Sequence, residues 1–271
     1  RREFLRQEFP SVIDGGDTME KKIDVIIPTY HPGREFGKLI DRLNKQTYPI
    51  HRMIIMNTEE EFWDKTWDAK YPFLEVHHIR KSEFDHGGTR KKAAEISQAD
   101  IMIFMTQDAL PADKNLVQKL TEALLAEEKI GAAYARQLPN EECNFAERYT
   151  RSFNYPERSS VRIKEDLSKY GIKTYFCSNV CAAYKKEIYK EIGGFVEKTI
   201  FNEDMIYAGN LVQAGYGIAY AADARVIHSH NYSCMQQFHR NFDLGVSQAE
   251  HPEIFASVKS EGEGIRLVKQ T

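Results

Sequence analysis

The sequence lacks the marks of several large protein classes. No apolar run approaches the roughly 18 residues that a membrane-spanning helix needs, and the longest runs, 25–28 and 101–105, have the length of strands. Lys and Arg number 37 against 40 Asp and Glu, a formal charge of −3. This near-neutral balance argues against a nucleic-acid-binding protein, which needs a concentrated cationic surface. Four cysteines in 271 residues are too few for a disulfide scaffold.

The two ends of the chain suggest where the folded part lies. Residues 1–18 are highly charged and are followed by Met19-Glu20-Lys21-Lys22, which resembles a natural start. We expect residues 1–18 to be a leader or an added extension with poor order, and residues 19–271 to form a single domain. The polar end at Thr271 leaves open whether the natural chain continues.

The first half alternates short apolar runs with helical patterns. Strands are predicted at 23–28, 52–56, 74–79, 100–105 and 130–134, and helices at 35–46, 89–98 and 113–127. This order predicts an α/β fold with a mainly parallel mixed sheet flanked by helices. Ligands bind such sheets at the carboxyl ends of the strands, so the loops that follow those ends are the ones to inspect.

The second half is less regular. We predict helices joined by a mobile segment at 143–169, a strand pair within 175–184, a helix at 203–214, strands at 217–221 and 225–230, and a last helix at 233–248. In that last helix, Met235, Phe238, Phe242 and Val246 recur at helical spacing. We expect this apolar stripe to pack onto the sheet rather than to meet a membrane surface.

Two nucleotide-binding motifs are missing. The loop after the first strand reads Thr29-Tyr30-His31-Pro32-Gly33 and contains no G-x-G-x-x-G, and no G-x-x-x-x-G-K-[ST] occurs anywhere. These absences argue against a hydride-transfer enzyme and against a P-loop ATPase.

Carboxylates and histidines near predicted strand ends are candidates for chemistry. Asp108 follows the fourth strand, where a carboxylate suits a divalent cation, although an Asp in that position is more often a helix cap or a turn former. Asp204 opens a predicted helix, as a general base or simply as a carboxylate that the helix dipole favours. His228 and His230 alternate on a predicted strand and so share one face; either is a candidate metal ligand or a core histidine.

A glycine-containing turn precedes the third helix of the pattern. In Asp85-His86-Gly87-Gly88-Thr89-Arg90 the glycines permit close backbone approach, and Arg90 can neutralise a phosphate. A plain turn with a surface arginine is the alternative.

Taken in order, from Asp24 to about Tyr232, these motifs resemble the family-2 glycosyltransferases with the GT-A fold. The resemblance implies a nucleotide-binding half at about 19–135 and an acceptor-side half at about 136–250. It also implies that Asp204 is the catalytic base and that Asp108 and His228 hold Mn²⁺ or Mg²⁺, with His230 as the alternative ligand. The residues it assigns to donor binding are Pro28, Thr29, Tyr30, Asn57, Asp85, Gly87, Gly88, Arg90, Thr106 and Gln107. The sequence departs from the family where Thr106 replaces the first carboxylate of the metal-binding D-x-D.

The motif Thr106-Gln107-Asp108-Ala109, together with residues 84–90, resembles the sequences of the rhamnosyltransferase subgroup. That similarity implies inverting transfer of L-rhamnose from dTDP-L-rhamnose to a glycan or lipid-linked acceptor in bacterial surface polysaccharide synthesis. It further implies a cytoplasmic protein, with peripheral contact to the inner face of the plasma membrane left open. Another nucleotide-sugar donor, carrying galactofuranose or an N-acetylhexosamine, is one alternative. A non-catalytic nucleotide-sugar-binding relative is the other.

Overall fold

The computed structural model describes residues 21–256 and residue 258, so the predicted leader at 1–18 lies outside the described residues. Within this part of the chain the strands are β1 (Ile23–Tyr30), β2 (Arg52–Thr58), β3 (Leu74–Ile79), β4 (Ile101–Met105), β5 (Leu110–Pro111), β6 (Ile130–Leu138), β7 (Ser160–Arg162), β8 (Cys181–Lys185) and β9 (Gly217–Ile227). The helices are α1 (Arg34–Leu43), α2 (Thr66–Lys70), α3 (His86–Ile96), α4 (Leu116–Leu125), α5 (Phe145–Asn154), α6 (Leu167–Tyr170), α7 (Lys186–Glu191), α8 (Glu203–Gln213), α9 (Cys234–Glu250) and α10 (Pro252–Phe255).

The strands form one mixed sheet in the order β3-β2-β1-β4-β8-β6-β9-β5, with β7 also paired to β9. The first four strands in this order, β3, β2, β1 and β4, run parallel to one another. Strand β8 is antiparallel to both β4 and β6, whereas β6 and β9 are parallel. The predicted α/β fold with a mainly parallel, mixed sheet is therefore confirmed.

Side chains that alternate along β1 explain why helices cover both faces of the sheet. Val25 and Ile27 pack in the core beneath α1 and α4, while Ile26 packs in the opposite core beneath α3 and α8. All three are fully buried. A strand with no polar face needs cover on both sides, and these helices provide it.

Two predictions about the second half of the chain are wrong. The expected strand pair within 175–184 is the single strand β8, because the backbone from Phe176 to Val180 forms a loop that lines the cleft described below. The two strands expected at 217–221 and 225–230 are one strand, β9. Three of its residues, 222–224, have no counterpart on β6, so a bulge there interrupted the apolar pattern.

The last long helix also differs from its prediction. Met235, Phe238 and Phe242 of α9 are 65%, 62% and 61% exposed, so they do not pack onto the sheet. The buried and half-buried residues of α9 lie in its second half, around Ser247, and in the first half Arg240 lies over the Phe201 ring at 4.9 Å. No helix in residues 21–256 combines the length and the apolar character needed to cross a bilayer.

Candidate active site

Three side chains from distant parts of the chain converge at the carboxyl end of β4. His228 Nε2 lies 3.5 Å from Asp108 Oδ2, and His230 Nε2 lies 3.3 Å from the same oxygen. The two Nε2 atoms are 3.1 Å apart. Ligands held about 2.1 Å from one cation at right angles would lie about 3 Å apart, so this triangle has the dimensions of one face of a metal site.

Gln137 fixes the orientation of His228. Its Oε1 lies 3.1 Å from His228 Nδ1, so Nδ1 donates to Gln137 and the ring turns Nε2 towards the triangle. Gln137 is in turn held by Arg151, which donates to Oε1, and by Ser178, whose Oγ accepts from Nε2 at 3.0 Å. The imidazole is thereby held in the orientation that a metal ligand requires.

The protonation of the other two members of the triangle also suits a cation. Burial opposes ionisation of Asp108, but the hydrogen bond and charge of His228 hold its pKa well below the usual range. Burial, reinforced by His228, lowers the pKa of His230. A carboxylate and a neutral imidazole are the forms that bind metal ions.

Asp204 lies in the first turn of α8, where the sequence placed it. Its Oδ2 accepts a hydrogen bond from the backbone N–H of Asn179 at 2.9 Å, and its Oδ1 accepts one from the Met205 N–H at 2.8 Å. Burial, followed by the adjacent charge of Glu203, raises the pKa of Asp204 to about 7. A carboxyl group with that pKa exchanges a proton readily near neutral pH.

Glu203 and Arg90 form a buried ion pair behind Asp204. Arg90 Nη1 lies 3.3 Å from Glu203 Oε1, and each side chain is only 7% exposed. Burial opposes ionisation of Glu203, but Arg90 and the Asn179 amide, which donates to Oε1 at 3.0 Å, keep its pKa low. The charge of Arg90 is thus already paired, which argues against the phosphate-binding role expected from the sequence.

The glycine-containing turn before α3 has structural contacts. Asp85 caps the helix, its Oδ2 accepting from the N–H groups of Gly88 at 2.6 Å and Lys198 at 2.9 Å. A Cβ on Gly87 would lie 1.8 Å from the carbonyl oxygen of Val196. These residues let α3 pack closely against the 193–199 loop, and donor binding by Asp85, Gly87 and Gly88 stays a prediction.

The expected donor residues at the end of β1 divide into buried and exposed groups. Thr29 donates to Asn57 Oδ1 at 3.0 Å, and both side chains are almost fully buried, so Asn57 supports the loop from within. Tyr30 is 41% exposed, and its backbone exchanges two hydrogen bonds with the side chain of Gln107. Pro28 is half-buried inside β1.

The candidate metal ligands and the candidate base line a single cleft of about 410 Å³. Among the residues predicted from the sequence, it is lined by Arg90, Thr106, Asp108, Asp204, His228 and His230. The same cleft is also lined by four residues that were not predicted from the sequence, namely Gln137, Arg151, Tyr232 and Arg240. A signal existed for Gln137 alone, since it lies near the carboxyl end of β6, a strand whose predicted range was four residues too short.

A mixed sheet of this order, with acidic and histidine side chains at the carboxyl end of its parallel strands, defines a glycosyltransferase of the GT-A fold. The family model of glycosyl transferase family 2 matches residues 24–193, and the chain belongs to that family.

Characterised relatives and solved structures agree with this assignment. The O-antigen chain rhamnosyltransferase RfbN of Salmonella typhimurium is 40% identical over 92% of this chain and 79% of its own length. The O-antigen chain rhamnosyltransferase WbaN of Salmonella anatum is 39% identical over 90% of this chain and 78% of its own. The mannosyltransferase PcManGT of Pyrobaculum calidifontis, solved with GDP-Man and Mn²⁺, shares the fold with a TM-score of 0.64 and 18% sequence identity. The match covers 90% of this chain and 68% of the mannosyltransferase chain.

Proposed function

We propose that this protein transfers L-rhamnose from dTDP-L-rhamnose to a hydroxyl group of a glycan or lipid-linked acceptor, with inversion at the anomeric carbon, during O-antigen synthesis. The observation that carries the proposal is the 40% identity to an O-antigen chain rhamnosyltransferase along 92% of the chain. The cleft supports it, because its walls supply both a candidate cation site and a candidate base.

Asp108, His228 and His230 fit a resident Mn²⁺ or Mg²⁺. Their ligand atoms form a compact triangle, and the two imidazoles favour manganese over magnesium. His230 supplies a third ligand in a site where Thr106 has replaced a carboxylate, which weakens the case for a non-catalytic relative. When bound, the cation would stabilise the negative charge that develops on the departing nucleoside diphosphate.

Asp204 acts on the acceptor. In its ionised form it takes the proton from the attacking hydroxyl as the new glycosidic bond forms and the bond to dTDP breaks. The N–H groups of Asn179 and Met205 hold its two oxygens in place, so no reorientation is needed during the reaction. Its pKa of about 7 balances the availability of the carboxylate against its strength as a base.

Exposed aromatic side chains beside β1 offer a surface for the nucleotide base. Tyr30 lies edge-on to His31 at 4.3 Å and to Phe62 at 5.9 Å between ring centroids, and Lys81 Nζ lies 5.4 Å from the centre of the Tyr30 ring. Arg240, whose guanidinium covers Tyr232 at the cleft, is placed to meet a phosphate. The protein would act in the cytoplasm, where nucleotide sugars are made.

The test is turnover of a panel of nucleotide sugars by the wild type and by Asp204→Asn. With dTDP-L-rhamnose and Mn²⁺, the Asn variant should lose about two to four orders of magnitude in kcat, since an amide cannot take the proton. Its affinity for dTDP should stay within twofold. A variant that turns over within threefold of wild type would remove Asp204 from the role of base.

Two further readouts address the donor and the stereochemistry. Preference for a galactofuranosyl or N-acetylhexosaminyl nucleotide would reject rhamnose as the transferred sugar while keeping the reaction class. A product with the anomeric configuration of the donor, determined by NMR, would reject the single displacement.

A further inference from the structure

A second cavity opens beside the active-site cleft, between α5 and the carboxyl end of β6. This cavity, the side groove, has a volume of about 280 Å³, near the lower end for small-ligand sites. Gln137, Arg151 and Tyr155 line both the groove and the cleft. A ligand in the groove would therefore lie directly beside the candidate catalytic centre.

Two aromatic rings line the side groove without being buried by the fold. Phe145 is 78% exposed, an unusual position for a large apolar side chain. Its ring lies nearly parallel to that of Tyr149, one helical turn away on α5, with centroids 6.4 Å apart and planes 23° apart. Two flat faces of this kind suit the apolar face of a sugar ring.

Polar donors complete the groove. Arg136 forms an ion pair with Glu157 at 3.1 Å, yet its buried Nε atom has no hydrogen-bond partner among the described residues. Arg148 bonds the carbonyl oxygen of Cys143 at 3.1 Å and stays exposed to the groove. Because the Arg136 Nε is buried away from the groove, the exposed guanidinium of Arg148 is the group that can donate to a hydroxyl group of a ligand there.

We propose that the side groove binds the acceptor glycan, with one pyranose ring against Phe145 and Tyr149 and a ring hydroxyl on Arg148. This inference rests on the proposed function, because it assigns the groove to the acceptor of that reaction. Tyr155 lines both cavities, and Asp204 lines the cleft on the other side of that boundary. The occupied groove would direct the next hydroxyl of the acceptor towards the base.

The test is saturation-transfer NMR with the methyl glycosides of L-rhamnose, D-mannose, D-galactose and N-acetyl-D-glucosamine. At least one should bind wild type saturably, and Phe145→Ala and Tyr149→Ala should each weaken that binding about tenfold, as expected for loss of an aromatic contact. Phe238→Ala is the matched control, because Phe238 is 62% exposed on α9 and does not line the groove. It should change binding less than twofold.

The outcomes separate this inference from the proposed function. Absence of saturable binding by all four glycosides, or an equal loss in Phe238→Ala and Phe145→Ala, would overturn the assignment of the groove. NMR binding needs no turnover, so it tests the groove even if the donor assignment fails. In both aromatic variants the affinity for dTDP and the rate of donor hydrolysis should match wild type, which a general loss of structure would not allow.

Discussion

Glu203 and Asp204 are adjacent carboxyl groups with opposite tendencies. Arg90 and Asn179 stabilise the charge of Glu203, and that charge in turn opposes ionisation of Asp204. Other groups near Asp204 are Tyr155, Cys177 and Tyr184, all of them neutral at ordinary pH because burial raises their pKa values. Glu203 is therefore the neighbour whose removal should change the titration of the proposed base.

We expect the proposed base to titrate in the pH profile of kcat/KM. The raised pKa means that Asp204 is protonated below about pH 7, so kcat/KM should fall as the pH falls through that value. The Glu203→Gln substitution removes the negative charge next to Asp204, while the amide oxygen of the new side chain can still accept hydrogen bonds from Asn179 and Arg90. The acid limb should then move about one pH unit lower, as expected for removal of a like charge.

The control for this shift is Glu75→Gln. Glu75 pairs with Arg52 at 2.5 Å near the amino end of β3, at the opposite end of the strands from the cleft. The acid limb of the kcat/KM profile of Glu75→Gln should lie at the same pH as that of the wild type. An unchanged acid limb in Glu203→Gln, with the Asp204→Asn variant still inactive, would show that Glu203 only supports the fold.

Individual residues also show what the sequence could and could not predict. Asp108, Asp204 and His228 could be singled out because Asp108 follows a predicted strand, Asp204 opens a predicted helix and His228 shares a strand face with His230, and these are local features. The partner of Arg90 could not be predicted, since Glu203 is far away in the chain and only the packing of α3 near α8 brings them together. Asn57 was predicted to bind the donor because of its place at the end of the second strand. Its place in the sequence does not show that the side chain is buried.

At the scale of elements, the close approach of α3 to the 193–199 loop supports the buried ion pair. Gly87 permits that approach, because a Cβ there would meet the Val196 carbonyl oxygen at 1.8 Å and the Glu203 Cβ at 3.4 Å. The first half of the fold was predictable because its helices and strands carry regular apolar periods. Apolar spacing alone does not predict burial, as α9 shows. Phe238 and Phe242 have helical spacing, yet their side chains are mostly exposed.

A substitution at Gly87 should test the packing of α3. Gly87→Ala should lower the free energy of unfolding by about 1–3 kcal/mol, because a methyl group has no room beside a backbone carbonyl. Gly245→Ala, inside α9 with no atom within 4 Å of the added Cβ, is the matched control. It should be neutral or stabilising by up to about 1 kcal/mol, the helix propensity gained over glycine.

Urea unfolding of both variants measures these differences. Equal stability of the two variants would contradict the tight contact between α3 and the 193–199 loop.

At the scale of the whole molecule, the active-site cleft is built from both halves of the chain. Asp108 comes from the end of β4, whereas His228 and His230 follow β9, which lies three strands away in the sheet order. The triangle therefore exists only when the sheet is complete. In the proposed cation site, His230 would supply a ligand from the other half of the chain where Thr106 replaces the first carboxylate.

Calorimetric titration of dTDP into the protein, with and without Mn²⁺, tests this cation site most directly. Wild type and Asp204→Asn should bind dTDP at least about tenfold more tightly with Mn²⁺ than without it, a gain of about 1.4 kcal/mol or more. Asp108→Ala and His230→Ala should lose that gain and keep the metal-free affinity. Equal dTDP affinity of the wild type with and without Mn²⁺, or a full gain in Asp108→Ala, would contradict the site.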